Sequence, residues 1–593
     1  MMKTMYTRLL TAIMLIATVT MVACKKSATK QAQYLPKDAS VVLGFDGGSI
    51  EKKVKDDALS LDKFFSTITG DNKEVNEMQE KLKTFKNAGV DFKSPIYLAF
   101  RARNGNTNDY DVTLTAALKN VTEFEQLIKK EMKEVTVQKV DDISYIQQGT
   151  GDNGVIVGWN KDVVIAYNNH KPHTYDYPNP DNTTMSAPPS KENTTSDKSG
   201  ALDALKKIFK QSEDESLMAI PEFKTLLAEK SDAVLWLNMS GFNTMAMQMP
   251  KMKSLLENNY LAAAVNFNNG EVIVDGKSYA SKELGEIYKK YAGPVVDLNL
   301  LQHYPTNNLN GLMMLSFKPA MIGDFVKVLG MEGLVNAGLM QAGVNLNDVL
   351  NLFKGDIAAA FSDFTIEEKP SPYDPTYMQK TPKAKWLVAI PLGSKEAVDK
   401  VMNIGIQQQK IRKEGNRYFP IGMPPNDNFA FSVDDKQIII GSDSILIQQY
   451  MSGTGKITMP SALESTVKNK CAAMYVDINK ILTAIPSLLV HEPASIAVLE
   501  KSKGVFKDMT MTADNYDGTC FKHKWTLRLN DSKENSIVQL YKYAQALVEI
   551  GFKKAIDMQP DPIANPSNIP EMSPKANDYK EEGINIDGKI INH

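Results

Sequence analysis

Side chains equipped for chemistry are few in this chain. Six histidines and three cysteines serve 593 residues, and no Gly-x-Ser-x-Gly turn is present to raise a serine nucleophile. The motifs that come near a catalytic or binding pattern each fail on a particular residue. Met451-Ser452-Gly453-Thr454-Gly455-Lys456-Ile457-Thr458 approximates a phosphate loop, but Tyr450 stands where its first glycine belongs and Ile457 where the Mg²⁺-binding hydroxyl belongs. It reads better as a glycine stop after a helix. His491-Glu492-Pro493 opens like a zinc-protease helix, yet the second histidine is missing and Pro493 would disturb the helix, so a loop is expected. His170 and His173 lie three apart in a polar stretch without further ligands, where a structural metal site needs four. Met245, Met247, Met249 and Met252 offer soft thioethers of the kind that select Cu(I). In a chain with 29 methionines, adaptable helix packing is the leading reading of that cluster, ahead of an apolar contact surface or copper. Asp514-Asn515-Tyr516-Asp517-Gly518 lacks the ligand alternation and closing glutamate of a calcium loop and reads as a hairpin turn. The sequence therefore points to no catalytic, cofactor or metal residue.

Stepping outward to the N-terminus, Lys3 and Arg8 precede an uncharged segment, Leu9 to Ala23, with Cys24 directly after it. A basic start, a short apolar run and a small residue before the cut describe a secretory signal too short to span a bilayer. Met21-Val22-Ala23-Cys24 resembles a bacterial lipobox, with methionine in place of the usual leucine three before the cysteine. That resemblance implies cleavage before Cys24, its acylation, and a membrane link made by lipid alone. Asn182 and Asn193 begin Asn-x-Ser/Thr triplets, which carry little meaning beside such a signal.

The bulk properties narrow the class further. Lys and Arg number 68 against 70 Asp and Glu, a formal charge of −2, and removing residues 1–23 takes away Lys3 and Arg8 but no acid. A nucleic-acid partner needs a concentrated basic face, and this balance gives it no support. Hydrophobic content of 43% is ordinary for a globular protein, and the length exceeds what one core usually holds. Beyond the anchor only Cys471 and Cys520 remain. An exported protein meets oxidising conditions, so a disulfide between them is allowed, with two buried free thiols as the alternative.

An internal repeat organises the rest. Asp111 to Asn168 reads strand, helix, strand, strand, hairpin, and Lys385 to Ser442 repeats that order. Asn120 falls opposite Ser394 as helix N-caps, and turns at Asn160-Lys161 and Asp435-Lys436 correspond. Residues 40–46 match 312–318, 232–238 match 471–477, and 266–279 match 514–525, each of the last pair holding a turn glycine. The expected architecture is α+β: two tandem related domains, 35–297 and 303–550, with mainly antiparallel sheets and packed helices, joined near Gln302-His303-Tyr304-Pro305. Residues 1–23 form the signal and 24–34 a tether. The first copy carries a disordered insert at 170–200, the second a polar insert at 367–385, and the tail from 559 to 593 is expected to be disordered.

With the lipobox, LPKDASVVLGFD (35–46) and GVNLNDVLNLFKGDIAAAFSDF (343–364), the chain resembles uncharacterised lipoproteins of Bacteroidetes that bear domain-of-unknown-function labels. The resemblance implies no catalytic residues. It implies a sorting expectation: surface-exported members carry acidic residues after the acylated cysteine, whereas Lys25-Lys26 follow here, favouring an outer-membrane anchor facing the periplasm. The leading reading is a non-catalytic, lipid-anchored binding or scaffolding protein with an envelope protein or glycan partner. The alternative is an envelope-polymer hydrolase using a carboxylate pair that sequence spacing cannot reveal.

Overall fold

The computed structural model describes residues 30–54, 88–103, 106–132, 135–148, 155–170, 198–242, 250–371, 376, 378–415, 417–422, 429–486 and 493–557. Among them twenty strands form one sheet. The first ten are β1 (Val41–Phe45), β2 (Ile96–Arg103), β3 (Asn106–Ala117), β4 (Gln138–Val140), β5 (Ile143–Gln148), β6 (Val155–Trp159), β7 (Val163–His170), β8 (Ala233–Asn238), β9 (Tyr260–Asn268) and β10 (Glu271–Tyr279). They run in the spatial order β4-β5-β6-β7-β3-β2-β1-β8-β9-β10, every neighbour antiparallel.

The next ten are β11 (Leu309–Ser316), β12 (Asp356–Pro370), β13 (Met378–Pro391), β14 (Ile411–Glu414), β15 (Arg417–Pro420), β16 (Ala430–Val433), β17 (Gln437–Gly441), β18 (Ala472–Val476), β19 (Phe506–Ala513) and β20 (Cys520–Leu529). Their order is β14-β15-β16-β17-β13-β12-β11-β18-β19-β20, the same path through the sheet as in the first ten. β10 then pairs with β20 over nine residues, from Glu271–Arg528 to Tyr279–Cys520, so the two halves share one continuous sheet. The fold is α+β.

The helices are α1 (Gly47–Lys53), α2 (Val121–Glu131), α3 (Lys198–Lys210), α4 (Pro221–Ala228), α5 (Pro250–Leu256), α6 (Lys282–Tyr291), α7 (Ala320–Val328), α8 (Glu332–Met340), α9 (Leu346–Leu352), α10 (Lys395–Gln407), α11 (Ser444–Met451), α12 (Ser461–Val467), α13 (Ile478–Thr483), α14 (Pro493–Val505) and α15 (Ser536–Asp557). Local chemistry sets their ends. Asn120 Oδ1 accepts from Glu123 N at 3.2 Å to open α2, and Ser394 Oγ accepts from Ala397 N at 3.3 Å to open α10. Gly453, at φ +70°, ends α11, as the glycine stop required.

One face of the sheet, the core face, is closed in both halves. In the first, Val42, Ala99, Trp236 and Ala262 meet Leu217, Phe223 and Leu226 of α4 and the turn before it. In the second, Leu312, Met314, Ala360 and Leu387 meet Leu446 and Tyr450 of α11 and Leu463 of α12. The opposite face of the outer strands is covered by α2 in the first half, through Phe124 and Leu127.

Several expectations change. The tether at 24–34 ends early: Gln31–Tyr34 is a 3₁₀ turn with Gln31 and Ala32 buried. Tyr304, placed in the joining segment, is fully buried, and its hydroxyl pairs with Ser362 Oγ at 3.0 Å and donates to Lys385 O at 2.9 Å. The polar insert at 367–385 is strand for most of its length. β12 and β13 continue past a bulge at Ser362/Thr365 as a two-stranded ribbon, Thr365–Lys383 to Pro370–Met378. Its side chains pair in charge rather than pack, Lys383 with Glu367 at 2.6 Å and Lys385 with Asp363 at 3.2 Å. Of the insert at 170–200, residues 198–200 already belong to α3, and 171–197 lie outside the described residues, as does the tail at 559–593.

Candidate functional site

Directly opposed residues of antiparallel strands share a face, and successive residues alternate between faces. Following the pairing across the joint gives a row of side chains opposite the core face: Met313, Met474, Met511, Trp525, Val274 and Val265. A parallel row, one pleat along, reads Leu315, Ala472, Ala513, His523, Gly276, Ala263, and continues through Leu235 to Leu43. None of these fourteen residues is an acid, lysine or arginine.

This face is incompletely covered. Met313 is 51% exposed, Trp525 44%, Leu315 39% and Leu43 37%. Met313 and Leu315 are neighbours on β11, half-buried Met474 and Met511 link Met313 to Trp525, and Leu43 stands apart beyond buried Gly276 and Ala263; the linked row from Met313 to Trp525 is more than the scattered exposed residues that any protein shows. The other side of the same two central strands is charged, with Asp275 opposite Lys524 and Lys277 opposite Lys522. The joint strands are therefore amphipathic with their apolar side open.

Helices flank the open rows on their two long sides. Tyr288 of α6 packs edge-on against Phe521 at 4.9 Å and Phe325 of α7 at 5.6 Å. On the other side Ile537 and Val538 of α15 pack with Ile50 of α1 and Phe267. Between them the polar exception is His523, whose Nε2 lies 2.9 Å from Ser278 Oγ on the neighbouring strand. Burial pushes the imidazole below its ordinary pKa, against a smaller opposing effect of Asp514. Among the described residues no carboxylate bonds its other ring nitrogen, so the pair lacks the orienting acid of a hydrolase triad.

The buried acids serve structure. Asp111 is gripped by Arg101, with Nη2 to Oδ2 at 2.6 Å and Nε to both oxygens near 3 Å. Asp232 accepts from Ser49 Oγ, Lys53 Nζ and Phe267 N, each at 2.7 Å, tying α1 to β8 and β9. Asp508 takes Arg528 Nε at 2.6 Å. Among the described residues every carboxyl with a displaced pKa is displaced downward: Asp324 by Lys290, Asp348 by Lys400, Glu367 by Lys383, and Asp517 to about 2 by backbone N–H donors and Lys522. A glycosidase-type acid needs the opposite shift. Among the described residues no three His, Cys, Asp or Glu side chains are placed to hold a metal.

The residues singled out from sequence fall elsewhere. Cys24, His173, Asn182, Asn193, His491, Glu492 and the methionines 245, 247 and 249 lie outside the described residues, while Met252 sits in α5. Cys471 and Cys520 are buried free thiols, and burial pushes both above the usual thiol pKa. The disulfide between them required neighbouring strands. Cys471 leads into β18 and Cys520 opens β20, with β19 between them. Two strand spacings of about 4.8 Å already exceed the roughly 6.8 Å limit for Cα atoms in a disulfide. Asp514–Gly518 is the β19–β20 turn, with Asp517 Oδ1 accepting from Thr519 N and Cys520 N. The open apolar face was missed, although Phe521-Lys522-His523-Lys524-Trp525 shows its alternation plainly.

A family model described as "Domain of unknown function (DUF4836)" matches residues 179–536, most of the second half and the strands of the joint. The chain belongs to this family. The DUF4836 match begins before β8 and ends at α15, so it contains both β10 and β20 and all the Met313–Val265 row. No curated protein matches. Among solved structures, "Structure of crystal form I of TP0453" is 10% identical, covering 45% of this chain and 88% of that one at a TM-score of 0.23. Crystal form IV of TP0453 is 11% identical, covering 42% and 80% at 0.22. Scores this low transfer neither fold nor function. Among the described residues no helix is long and apolar enough to cross a membrane.

Proposed function

We propose that this DUF4836 protein is a non-catalytic binding protein of the cell envelope, built from two related halves and held to the membrane by an acylated Cys24. Its working surface is the open apolar face at the joint of the halves. The observation that carries this reading is the row Met313, Met474, Met511, Trp525, in which the outermost two residues keep about half their surface in water. Leaving such a row open is unfavourable for solubility unless something docks there. Lys25-Lys26 after the anchor favours the periplasmic face of the outer membrane.

Two experiments test it. Cys24→Ser should move the protein from the membrane to the soluble fraction and abolish labelling by a fatty-acid probe; retained labelling would remove the lipoprotein reading. A photo-crosslinking residue at Met313 or Trp525 should capture adducts in intact cells that the same residue at Lys524, on the charged side of β20, does not. Identical adducts from both sides would refute a binding role for the apolar face.

A further inference from the structure

We infer that the open face takes helix α8 of a second copy of this chain, in a twofold pair where each copy lays its α8 along the other's row from Met313 to Trp525. This rests on the binding role proposed for that face and names the partner. Two apolar surfaces lie open in the same half of the chain, the row and α8 itself. Among the described helices of eight or more residues, α8 alone has no buried residue. Leu334 and Met340 are the most exposed large apolar residues described. At the helical period Met340, Gly333, Ala337, Gln341, Leu334 and Gly338 fall within one arc of about 160°, and all six are exposed. From Gly333 to Asn347 the chain has no acid, lysine or arginine.

Both surfaces are open within one chain, so α8 does not cover its own row. Its neighbours hold it in place: Lys290 pairs with Asp324 of α7 at 2.6 Å, and Asn336 Oδ1 accepts from Leu346 N of α9 at 2.8 Å. In turn α7 packs on Tyr288 of α6, which packs on Phe521 beside the open rows. Helix and row therefore belong to the same half, and a twofold axis lets each copy supply what the other lacks. Such a contact closes on itself at two copies.

The first half shows what this face of the sheet receives. Gly276, Ala263, Leu235 and Leu43 hold the places there that Trp525, Met511, Met474 and Met313 hold in the second half. A helix, α15, crosses that face, packing against Phe267 and again through Val548 beside Leu98 and Ala166. For the open row, α8 has the matching size and surface. Its nine residues measure about 13.5 Å, and three strand spacings from β20 to β11 measure about 14 Å. The row is bulky and adaptable, with three methionines, while Gly333 and Ala337 leave the middle of the α8 arc low between Met340 and Leu334. Neither surface carries an ion to be stripped of water.

The area sets the strength. A helix about 13.5 Å long and about 10 Å across covers about 140 Å², so two such contacts, each counted on both surfaces, bury roughly 550 Å². That is under the ~1,200 Å² of stable complexes, which makes the pair weak and concentration-dependent in solution. Acylated copies confined to one membrane meet at a far higher local concentration.

The test uses full-length Cys24→Ser protein in sedimentation velocity and the acylated chain in cells. Sedimentation should show a monomer–dimer equilibrium that shifts with concentration. Leu334→Ser with Met340→Ser should weaken it at least tenfold, and Ile445→Ser, at an exposed apolar position on α11, should leave it unchanged. Ala337→Lys on α8 and Met313→Glu in the row should each abolish the dimer, with far-UV circular dichroism unaltered. Mixing those two variants should restore a dimer, because one contact then keeps both native surfaces and the other sets a lysine against a glutamate. A photo-crosslinking residue at Met313, with two differently tagged copies in one cell, should give an adduct carrying both tags that Ala337→Lys removes. No recovery on mixing, or no doubly tagged adduct, would overturn the proposal. A Met313 adduct with a different protein and never with a second copy would reject the twofold pair and leave the binding role standing; no adduct of any kind would remove both.

Discussion

Trp525 and Trp236 occupy opposite faces of the same sheet, and truncating each to alanine separates the open face from the closed one. Trp236 is fully buried, stacked on Tyr260 at 4.7 Å and edge-on to Phe223 at 5.4 Å. Its loss removes a complete core aromatic, which costs about 3–5 kcal/mol. Trp525 keeps 44% of its surface in water in the folded protein. Only the remaining part contributes to folding, and no closed cavity forms on its removal, so about 2 kcal/mol is expected. Urea unfolding followed by far-UV circular dichroism should show the midpoint falling about twice as far for Trp236→Ala as for Trp525→Ala. Acrylamide quenching gives an independent reading: Trp525→Phe should remove most of the readily quenched fluorescence, and Trp236→Phe none of it. Equal destabilisation by the two substitutions would mean that Trp525 is a core residue and that the apolar face is closed, which would defeat the binding argument at its source.

Other consequences are equally direct. His523, lowered by burial, binds its proton less readily folded than unfolded, so its contribution to stability is complete above about pH 6.5 and declines as pH falls from there to the native pKa; His523→Asn should flatten that part of the stability–pH curve, and an unchanged slope would assign it to another group. Asp517, with a native pKa of about 2, adds stability above the unfolded value near 3.9 that is lost as pH falls through this interval; Asp517→Asn should remove that acid dependence from the β19–β20 hairpin, read by hydrogen exchange at Cys520. A thiol count on unfolded, unreduced Cys24→Ser protein should return two, and zero would restore the disulfide. Gly355 lies at φ +106° with Phe317 O only 1.9 Å from where a Cβ would stand, so Gly355→Ala should destabilise by at least about 2 kcal/mol in thermal unfolding.

Short-range signals in the sequence proved readable where the deciding interaction is itself short-range. Asn120, Ser394, Gly453 and the turn at Asp517-Gly518 each act through atoms within a few residues, and each stands where the pattern placed it. The burial of Tyr304 and the ribbon at Thr365–Lys383 are not legible in the sequence, for the opposite reason. Nothing near Tyr304 in the chain marks it as core; Ser362 and Lys385, far along the chain, bind its hydroxyl. The charged ribbon carries no apolar alternation, because it has no core to face; its register comes from a partner strand that composition does not reveal. The cysteine pair shows the same limit, since whether β18 and β20 touch depends on β19 entering between them.

The open face has a structural cause in the unequal lengths of two equivalent helices. α15 follows β20 and α6 follows β10, the same place in each half. At 22 residues α15 is about 33 Å long, enough to run from Phe267 to the cluster around Leu98 and Ala166, where Val548 packs. At 10 residues α6 is about 15 Å long and stops near Phe325 and Asp324. Among the described residues the face crossed by the long helix retains only Leu43 as an exposed large apolar residue, while the face served by the short one leaves Met313, Leu315 and Trp525 open. Had the halves been equal, the sheet would be roofed on both sides. Extending α6 by two helical turns of polar-outward, leucine-inward sequence should therefore protect Trp525 from acrylamide and raise the unfolding midpoint, while reducing adducts captured at Met313. Protection of Trp525 with undiminished adducts would show that the partner docks beyond the open rows.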